Sequence, residues 1–185
     1  MDNKLKKFFS KCVWLTIIIF VIRCLISKDS LIADFSFYGL FGYAGESISI
    51  STFIMILYEK YFWKSKYNVF NEVPVLHKQY KGILYSNYDN KTRDATLTVK
   101  QTLLTLSFTL NTEESRSSSF SSSIEQQNGE WRIVYSYINN PNSIVRDRSE
   151  IHYGTTILYI DGDKLNGRYF TDRMTRGDIN FEPVK

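Results

Sequence analysis

The sequence has little of the chemistry that marks an enzyme or a metalloprotein. Its only two cysteines, Cys12 and Cys24, lie in the first long apolar run, so we expect neither a disulfide framework nor a cysteine metal site elsewhere. Its only two histidines, His77 and His152, argue against a histidine-rich metal site. The motifs GxSxG, HExxH, CxxC and the phosphate-binding P-loop do not occur. We therefore predict a protein without catalytic residues, metal or cofactor.

An excess of basic residues is missing from the larger, C-terminal part of the chain. Residues 68–185 contain 14 Lys/Arg and 14 Asp/Glu, whereas residues 1–67 contain nine and five. Binding to the phosphate backbone of a duplex needs a basic face that displaces counterions. The neutral C-terminal part therefore argues against DNA or RNA as a partner.

Two long apolar runs are present near the N-terminus, at about residues 8–26 and 35–58. Each is long enough to cross a hydrocarbon core of about 30 Å as a helix. A cleaved signal peptide is the alternative for the first run, but this run is longer than a usual signal core and lacks a small-x-small cleavage site. We predict two transmembrane helices within residues 1–67.

The charges that flank these runs predict their orientation. Lys4, Lys6, Lys7 and Lys11 lie before or at the start of the first run, and three lysines follow the core of the second. The connecting side carries Arg23 and Lys28, opposed by Asp29 and Asp34. Short cytoplasmic segments carry the excess of Lys and Arg. We therefore expect a multi-pass protein whose N-terminus, C-terminus and C-terminal domain all lie in the cytoplasm.

The second run contains small residues at helical spacing, namely Gly39, Gly42 and Gly45, followed directly by Glu46. Small residues let membrane helices approach closely, and a carboxylate inside a membrane usually faces a partner or water. Alternatively, the helix begins only near Ile48 and Glu46 lies at the outer interface. We favour the first interpretation, which predicts that these four residues serve assembly between helices in the bilayer.

From Lys81 onward the hydrophobic pattern mostly has a period of two, which predicts strands. The candidate strands are residues 81–88, 95–110, 116–126, 130–139, 154–161, 165–172 and 178–184. The pattern slips at residues 101–104, which we interpret as a bulge or a strong bend. The run SRSSSFSSS is typical of either a linker or a strand. Sequential short strands favour an up-and-down barrel or a sandwich.

Alternation along these strands predicts a polar aromatic wall. Residues 130–139 place Trp131, Ile133, Tyr135, Tyr137 and Asn139 on one face, which we expect to point into the domain. This face runs from an apolar end at Trp131 to a polar end at Asn139. Tyr137, Asn139 and the next residue, Asn140, supply a ring and amides that can contact base edges.

The stretch LNGRYFTDRMTRG, residues 165–177, suggests a ligand site. As a strand, it places Tyr169, Thr171 and Arg173 on one face, where they offer a stacking ring, a hydroxyl and a guanidinium. The planar fork of arginine suits phosphate because it can donate two hydrogen bonds at once. The plainer interpretation remains open: Arg173 pairs with Asp172 or Asp178 at the surface, and the tyrosines fill the core.

Two apolar helices before a compact β domain with GEWRIVYSYINNP and HYGTTILYIDGDKLNGRYFTDRMTRG make the chain similar to a known family. It resembles the two-transmembrane β-barrel effectors of CBASS, the bacterial cyclic-oligonucleotide antiphage signalling systems. The resemblance implies a membrane-anchored all-β protein in which residues 68–185 form a small antiparallel up-and-down barrel. About eight strands, as in lipocalins or streptavidin, and a bacterial inner-membrane location are implied with it.

The resemblance also implies a function. In that family a partner nucleotidyltransferase makes a cyclic dinucleotide, the barrel binds it, and the protein forms a homo-oligomer that disrupts the inner membrane and kills the infected cell. The family's Y-x-T-x-R-x-T wall falls on Tyr169, Thr171, Arg173 and Thr175 here. The lipid bilayer is then a second partner. The alternative is a membrane-anchored, lipocalin-like carrier or assembly protein with no nucleotide ligand.

Overall fold

The computed structural model describes residues 3–26, 37–65 and 73–184. The chain divides into two compact units, an N-terminal helical unit and a C-terminal β unit. The predicted domain boundary between residues 67 and 68 lies outside the described residues. The same holds for Lys28, Asp29 and Asp34, on which the predicted orientation partly rests.

The described part of the helical unit contains two long helices, α1 (Asn3–Ile26) and α2 (Phe37–Lys60), and one 3-10 turn, Phe62–Lys64. The segments Leu5–Ile26 and Gly39–Lys60 are each long and apolar enough to cross a bilayer. Because α2 begins at Phe37, the alternative in which this helix starts near Ile48 is wrong.

Polar contacts join α1 to α2. The hydroxyls of Thr16 and Ser51 lie 2.7 Å apart, and Arg23 Nε donates to Glu46 Oε2 over 2.7 Å. Ser47 and Ser51, one turn apart on α2, are buried. Such bonds replace the water that an apolar bilayer does not offer, so they favour the paired hairpin over two separate helices.

The β unit is a closed antiparallel barrel of eight strands in sequential order, in which β8 pairs with β1. This arrangement confirms the predicted fold class. The strands are β1 (Gln79–Ser86), β2 (Lys91–Gln101), β3 (Leu106–Thr112), β4 (Ser115–Gln127), β5 (Glu130–Pro141), β6 (His152–Asp161), β7 (Lys164–Thr171) and β8 (Arg176–Pro183).

The predicted single strand at residues 95–110 is wrong, since it is two strands joined by a turn. β2 ends at Gln101, whose side chain accepts a bond from Leu76 N and donates to Pro74 O, each over 2.9 Å. The turn at residues 102–105 reads TLLT and contains none of the Gly, Pro, Asn or Asp residues that signal a turn, so the slip in alternation resembled a bulge.

The serine-rich run forms β4, with a register shift between Ser119 and Ser121. It is therefore a strand and not a linker. On β5 the side chains of Ile133, Tyr135, Tyr137 and Asn139 are buried, which confirms the predicted inward face.

The up-and-down order places successive connections at alternate ends of the barrel. The connections β1–β2, β3–β4, β5–β6 and β7–β8 therefore share one end. The opposite end is closed by buried apolar side chains, which are Tyr80, Val99, Ile124, Leu165 and Phe181. We call this the apolar end.

Candidate functional site

A cavity of about 110 Å³ opens at the end of the barrel that carries the β1–β2, β3–β4, β5–β6 and β7–β8 connections. We call it the polar mouth. Its polar lining residues are Ser86, Tyr88, Arg93, Glu114, Ser117, Tyr137, Asn139, Arg148, Ser149, His152, Tyr169, Arg173 and Thr175. This lining contains three arginines but only one carboxylate, Glu114, so the mouth favours an anion.

Two tyrosine rings lie along the wall because glycines stand opposite them. A Cβ atom at Gly154 would lie 2.4 Å from Cζ of Tyr137, and one at Gly177 would lie 2.6 Å from Cε1 of Tyr169. Burial raises the pKa of both tyrosines, so both hydroxyls stay protonated at neutral pH. Each offers a flat face and a neutral hydroxyl to the mouth.

Asn139 and His152 form a neutral polar layer at neighbouring positions of β5 and β6. Ser117 Oγ donates to Asn139 Oδ1 over 2.8 Å, which leaves the amide NH₂ as the remaining donor group. Burial lowers the pKa of His152, and the charge of Arg173 acts in the same direction. A neutral ring that donates from Nδ1 to Glu150 O, 2.9 Å away, presents Nε2 as an acceptor.

The β7–β8 turn holds Arg173 at the rim. The hydroxyls of Thr171 and Thr175 lie 2.6 Å apart across this turn, and Arg173 Nη2 donates to Ser149 Oγ over 3.3 Å. Asp172 Oδ2 instead accepts a bond from Tyr153 N over 3.2 Å. The proposed surface pair between Arg173 and Asp172 is therefore not what the structure contains, and Arg173 lines the mouth.

A network of charges joins three connections at this end. Arg93 contacts Asp89 with Nη2–Oδ2 at 2.5 Å and Glu114 with Nε–Oε2 at 3.1 Å. The other oxygen of Glu114 accepts from Arg148 Nη2 over 2.6 Å. The hydrogen bond from Arg148, and then Arg93, holds the pKa of Glu114 below its usual range, while Arg93 does the same for Asp89.

Five of the seven predicted ligand residues line the mouth, namely Tyr137, Asn139, Tyr169, Arg173 and Thr175. Thr171 is buried beside Thr175, and Asn140 is exposed on the outer side of β5, where it accepts a bond from Arg146. The ligand-binding roles of all seven stay predictions.

Arg93, Glu114 and Arg148 are not among the site residues predicted from the sequence. Each lies in or beside a different connection, and no spacing along the chain links them. In an up-and-down barrel, successive connections lie at alternate ends, so a correct count of the strands would have placed these three connections at one end. The count was wrong because residues 95–110 were predicted as one strand and the β2–β3 turn was not recognised.

The predicted assembly residues lie on α2. Gly42 and Gly45 are exposed, and a Cβ atom at either position would meet no described atom within 4 Å. Glu46 contacts Arg23 of the same chain, and Gly39 is half-buried. The assembly role of all four stays a prediction.

Comparison with known proteins gives two matches. A family model described as "Cap15, cyclic dinucleotide receptor domain" matches residues 71–183. The CD-NTase-associated protein 15 of Staphylococcus schleiferi is 28% identical over 187 residues, an alignment that spans 100% of both chains. The first match covers the barrel, and the second covers the helices as well.

Proposed function

This chain belongs to the Cap15 family of cyclic dinucleotide receptor domains, and we propose that its barrel binds a cyclic dinucleotide at the polar mouth. The observation that carries this proposal is the combination of three arginines with two wall-lying tyrosine rings in one lining. Arginine suits the two phosphodiesters, and tyrosine rings suit the bases. An apolar cargo, as in a lipocalin-like carrier, would make no use of these guanidinium groups, whereas a phosphodiester can accept hydrogen bonds from them.

The size of the mouth limits how the messenger lies. Pockets that enclose a small ligand usually measure about 300–1,000 Å³, whereas this cavity measures about 110 Å³. A cyclic dinucleotide therefore enters only in part and extends out past Arg173 and Thr175 at the rim. The bound molecule forms part of the outer surface of the barrel.

Calorimetric titration tests the binding step. Full-length protein in detergent is titrated with a panel of cyclic di-AMP, cyclic di-GMP, cyclic di-UMP and mixed-base cyclic dinucleotides. One member binds, and Arg173→Ala weakens its affinity by roughly tenfold or more, as expected for a lost charge-assisted bond. Arg168→Ala, on the exposed outer face of β7 just before this turn, is the matched control.

Two results would contradict this proposal. If no member of the panel binds the folded protein, the proposal that the barrel binds a cyclic dinucleotide is wrong. Equal affinity of the Arg173 and Arg168 variants would place the site elsewhere.

We further propose that binding drives self-association through α2 and that the assembled helices disrupt the inner membrane. A CD-NTase partner supplies the messenger, and the barrel and both termini face the cytoplasm where it is made. The messenger must bind the assembly-competent form more tightly, because a ligand that binds two forms equally shifts nothing. No catalytic step is assigned to the barrel.

Leucine substitutions on α2 test the assembly step. A Cβ atom at Gly42 or Gly45 meets no described atom of the same chain within 4 Å, so we expect the leucine side chains to act through contact with another molecule. We expect both to abolish messenger-dependent killing and crosslinked oligomers while leaving affinity for the messenger unchanged. Phe41→Leu, at a position that is 76% exposed, is the control. Full killing by the double variant Gly42→Leu/Gly45→Leu would exclude this surface.

A further inference from the structure

We infer that Arg93 and Arg148 form a subsite for one phosphodiester and that Glu114 competes with that phosphodiester for the same donors. This inference rests on the proposed function and adds a regulatory element to its site. It concerns residues of the β1–β2, β3–β4 and β5–β6 connections.

The geometry of Glu114 is that of an anion held between two guanidinium groups. One carboxylate oxygen accepts from Arg93 Nε over 3.1 Å and the other from Arg148 Nη2 over 2.6 Å. The two non-bridging oxygens of a phosphodiester present the same pair of acceptors to arginine. The side chain of Arg93 is only 19% exposed, so its donors face the mouth and not bulk solvent.

Asp89 keeps Arg93 in place when Glu114 leaves. It accepts from Nη1 over 3.2 Å and from Nη2 over 2.5 Å, whereas Glu114 accepts from Nε, which is the donor for which a phosphodiester competes. Arg93 therefore does not become an unpaired buried charge during the exchange. Arg148, whose side chain is 49% exposed, can follow either anion.

Glu114 is also tied to the loop that carries Arg148. The backbone oxygens of Glu114 and Glu113 accept bonds from N and Nδ2 of Asn142, each over 2.8 Å. Expulsion of the carboxylate by a phosphodiester therefore loosens one of the contacts between the β3–β4 turn and the β5–β6 loop. The barrel then has two forms, one with the Glu114–Arg148 contact and one without it. The messenger binds the second form more tightly, and such a difference in affinity is what the assembly step requires.

Charge-neutral variants of the turn test this inference. The probe is the tightest-binding member of the cyclic dinucleotide panel, titrated into full-length protein in detergent. Glu114→Gln should tighten binding about fivefold, because the competing charge is lost while the side-chain shape is kept. Glu113→Gln removes the same charge from the adjacent, exposed residue and should change the affinity less than twofold. Arg148→Gln should weaken binding about tenfold.

The double variant Glu114→Gln/Arg148→Gln separates competition from a general charge effect. If the two anions share Arg148, the gain from Glu114→Gln should shrink to less than twofold once Arg148 is gone. Melting curves of each variant check that the barrel remains folded.

Each outcome bears on the inference. Unchanged or weaker binding by folded Glu114→Gln, with the wild-type protein binding its probe, would overturn the competition and leave the proposed function standing. Unchanged binding by Arg148→Gln would remove the subsite. Failure of wild-type protein and all variants to bind any panel member would overturn the proposed function and this inference together.

Discussion

The two ends of the barrel are built by the same eight strands with the same inward alternation, but their chemistry is opposite. At the apolar end, Leu165 and Phe181 have no exposed surface. At the polar mouth, the equivalent inward positions and turns carry arginine, glutamate, asparagine and histidine. Burial of apolar side chains at the apolar end therefore supplies stability. The charged side chains at the polar mouth contribute little to stability and are available for recognition.

The largest expected effect comes from emptying the apolar end. Phe181→Ala should lower the free energy of unfolding by about 3–5 kcal/mol, because it removes a fully buried ring and leaves a cavity. Arg148→Ala, which breaks a half-exposed ion pair at the mouth, should cost about 1 kcal/mol or less. Urea unfolding of full-length protein in detergent, followed by circular dichroism, measures both. Equal losses would erase the contrast between the ends.

A smaller effect on stability is expected from Tyr135, which marks how far the polar mouth reaches into the barrel. Burial raises the pKa of Tyr135 to about 12, against a slight opposing effect of the nearby Thr156 hydroxyl. Tyr135 is only 2% exposed and is not part of the mouth lining, so it lies beneath the polar layer. The folded barrel holds the phenolic proton that the unfolded chain releases near pH 10. The contribution of the neutral Tyr135 hydroxyl to the stability of the barrel is therefore fully present below pH 10 and is lost as the pH rises towards 12.

Tyr135→Phe should remove about 2 kcal/mol of this alkaline loss, since one pKa unit corresponds to about 1.4 kcal/mol. Unfolding curves at pH 8 to pH 12 measure it, and Tyr88→Phe, at a residue that is 61% exposed, is the control. An unchanged alkaline profile in the Tyr135 variant would place this hydroxyl in contact with water.

The smallest effect belongs to His152 at the mouth. Because burial lowers its pKa, the unfolded chain binds a proton that the folded barrel rejects. Stability should therefore fall as the pH drops through about 6.5, the ordinary histidine value, and the slope should vanish below the folded pKa. His152→Gln should flatten the curve between pH 7 and pH 5.5, as measured by urea unfolding at each pH. A slope in this variant equal to that of the wild-type protein would assign the acid sensitivity to other groups.

Most of the fold follows from local patterns, but the charge network does not. The length of the apolar runs predicts α1 and α2, and alternation predicts the inward faces of β5 and β7. Tyr169 and Arg173 are both found in the mouth lining, but the prediction that one strand carries them is wrong, because β7 ends at Thr171 and Arg173 lies in the turn that follows. Arg93 and Arg148 are 55 residues apart, and only closure of the barrel brings them to one carboxylate. Glu114, beside Glu113 in a turn, looks solvated in the sequence.

The pairing of β1 with β8 has a consequence for the timing of synthesis. Tyr80 faces Pro183, more than one hundred residues later in the sequence, so the barrel closes only after its last strand leaves the ribosome. The apolar helices emerge long before that moment. A chain interrupted during translation therefore carries both long apolar helices without a closed barrel, and the polar mouth is complete only once the final strand has paired.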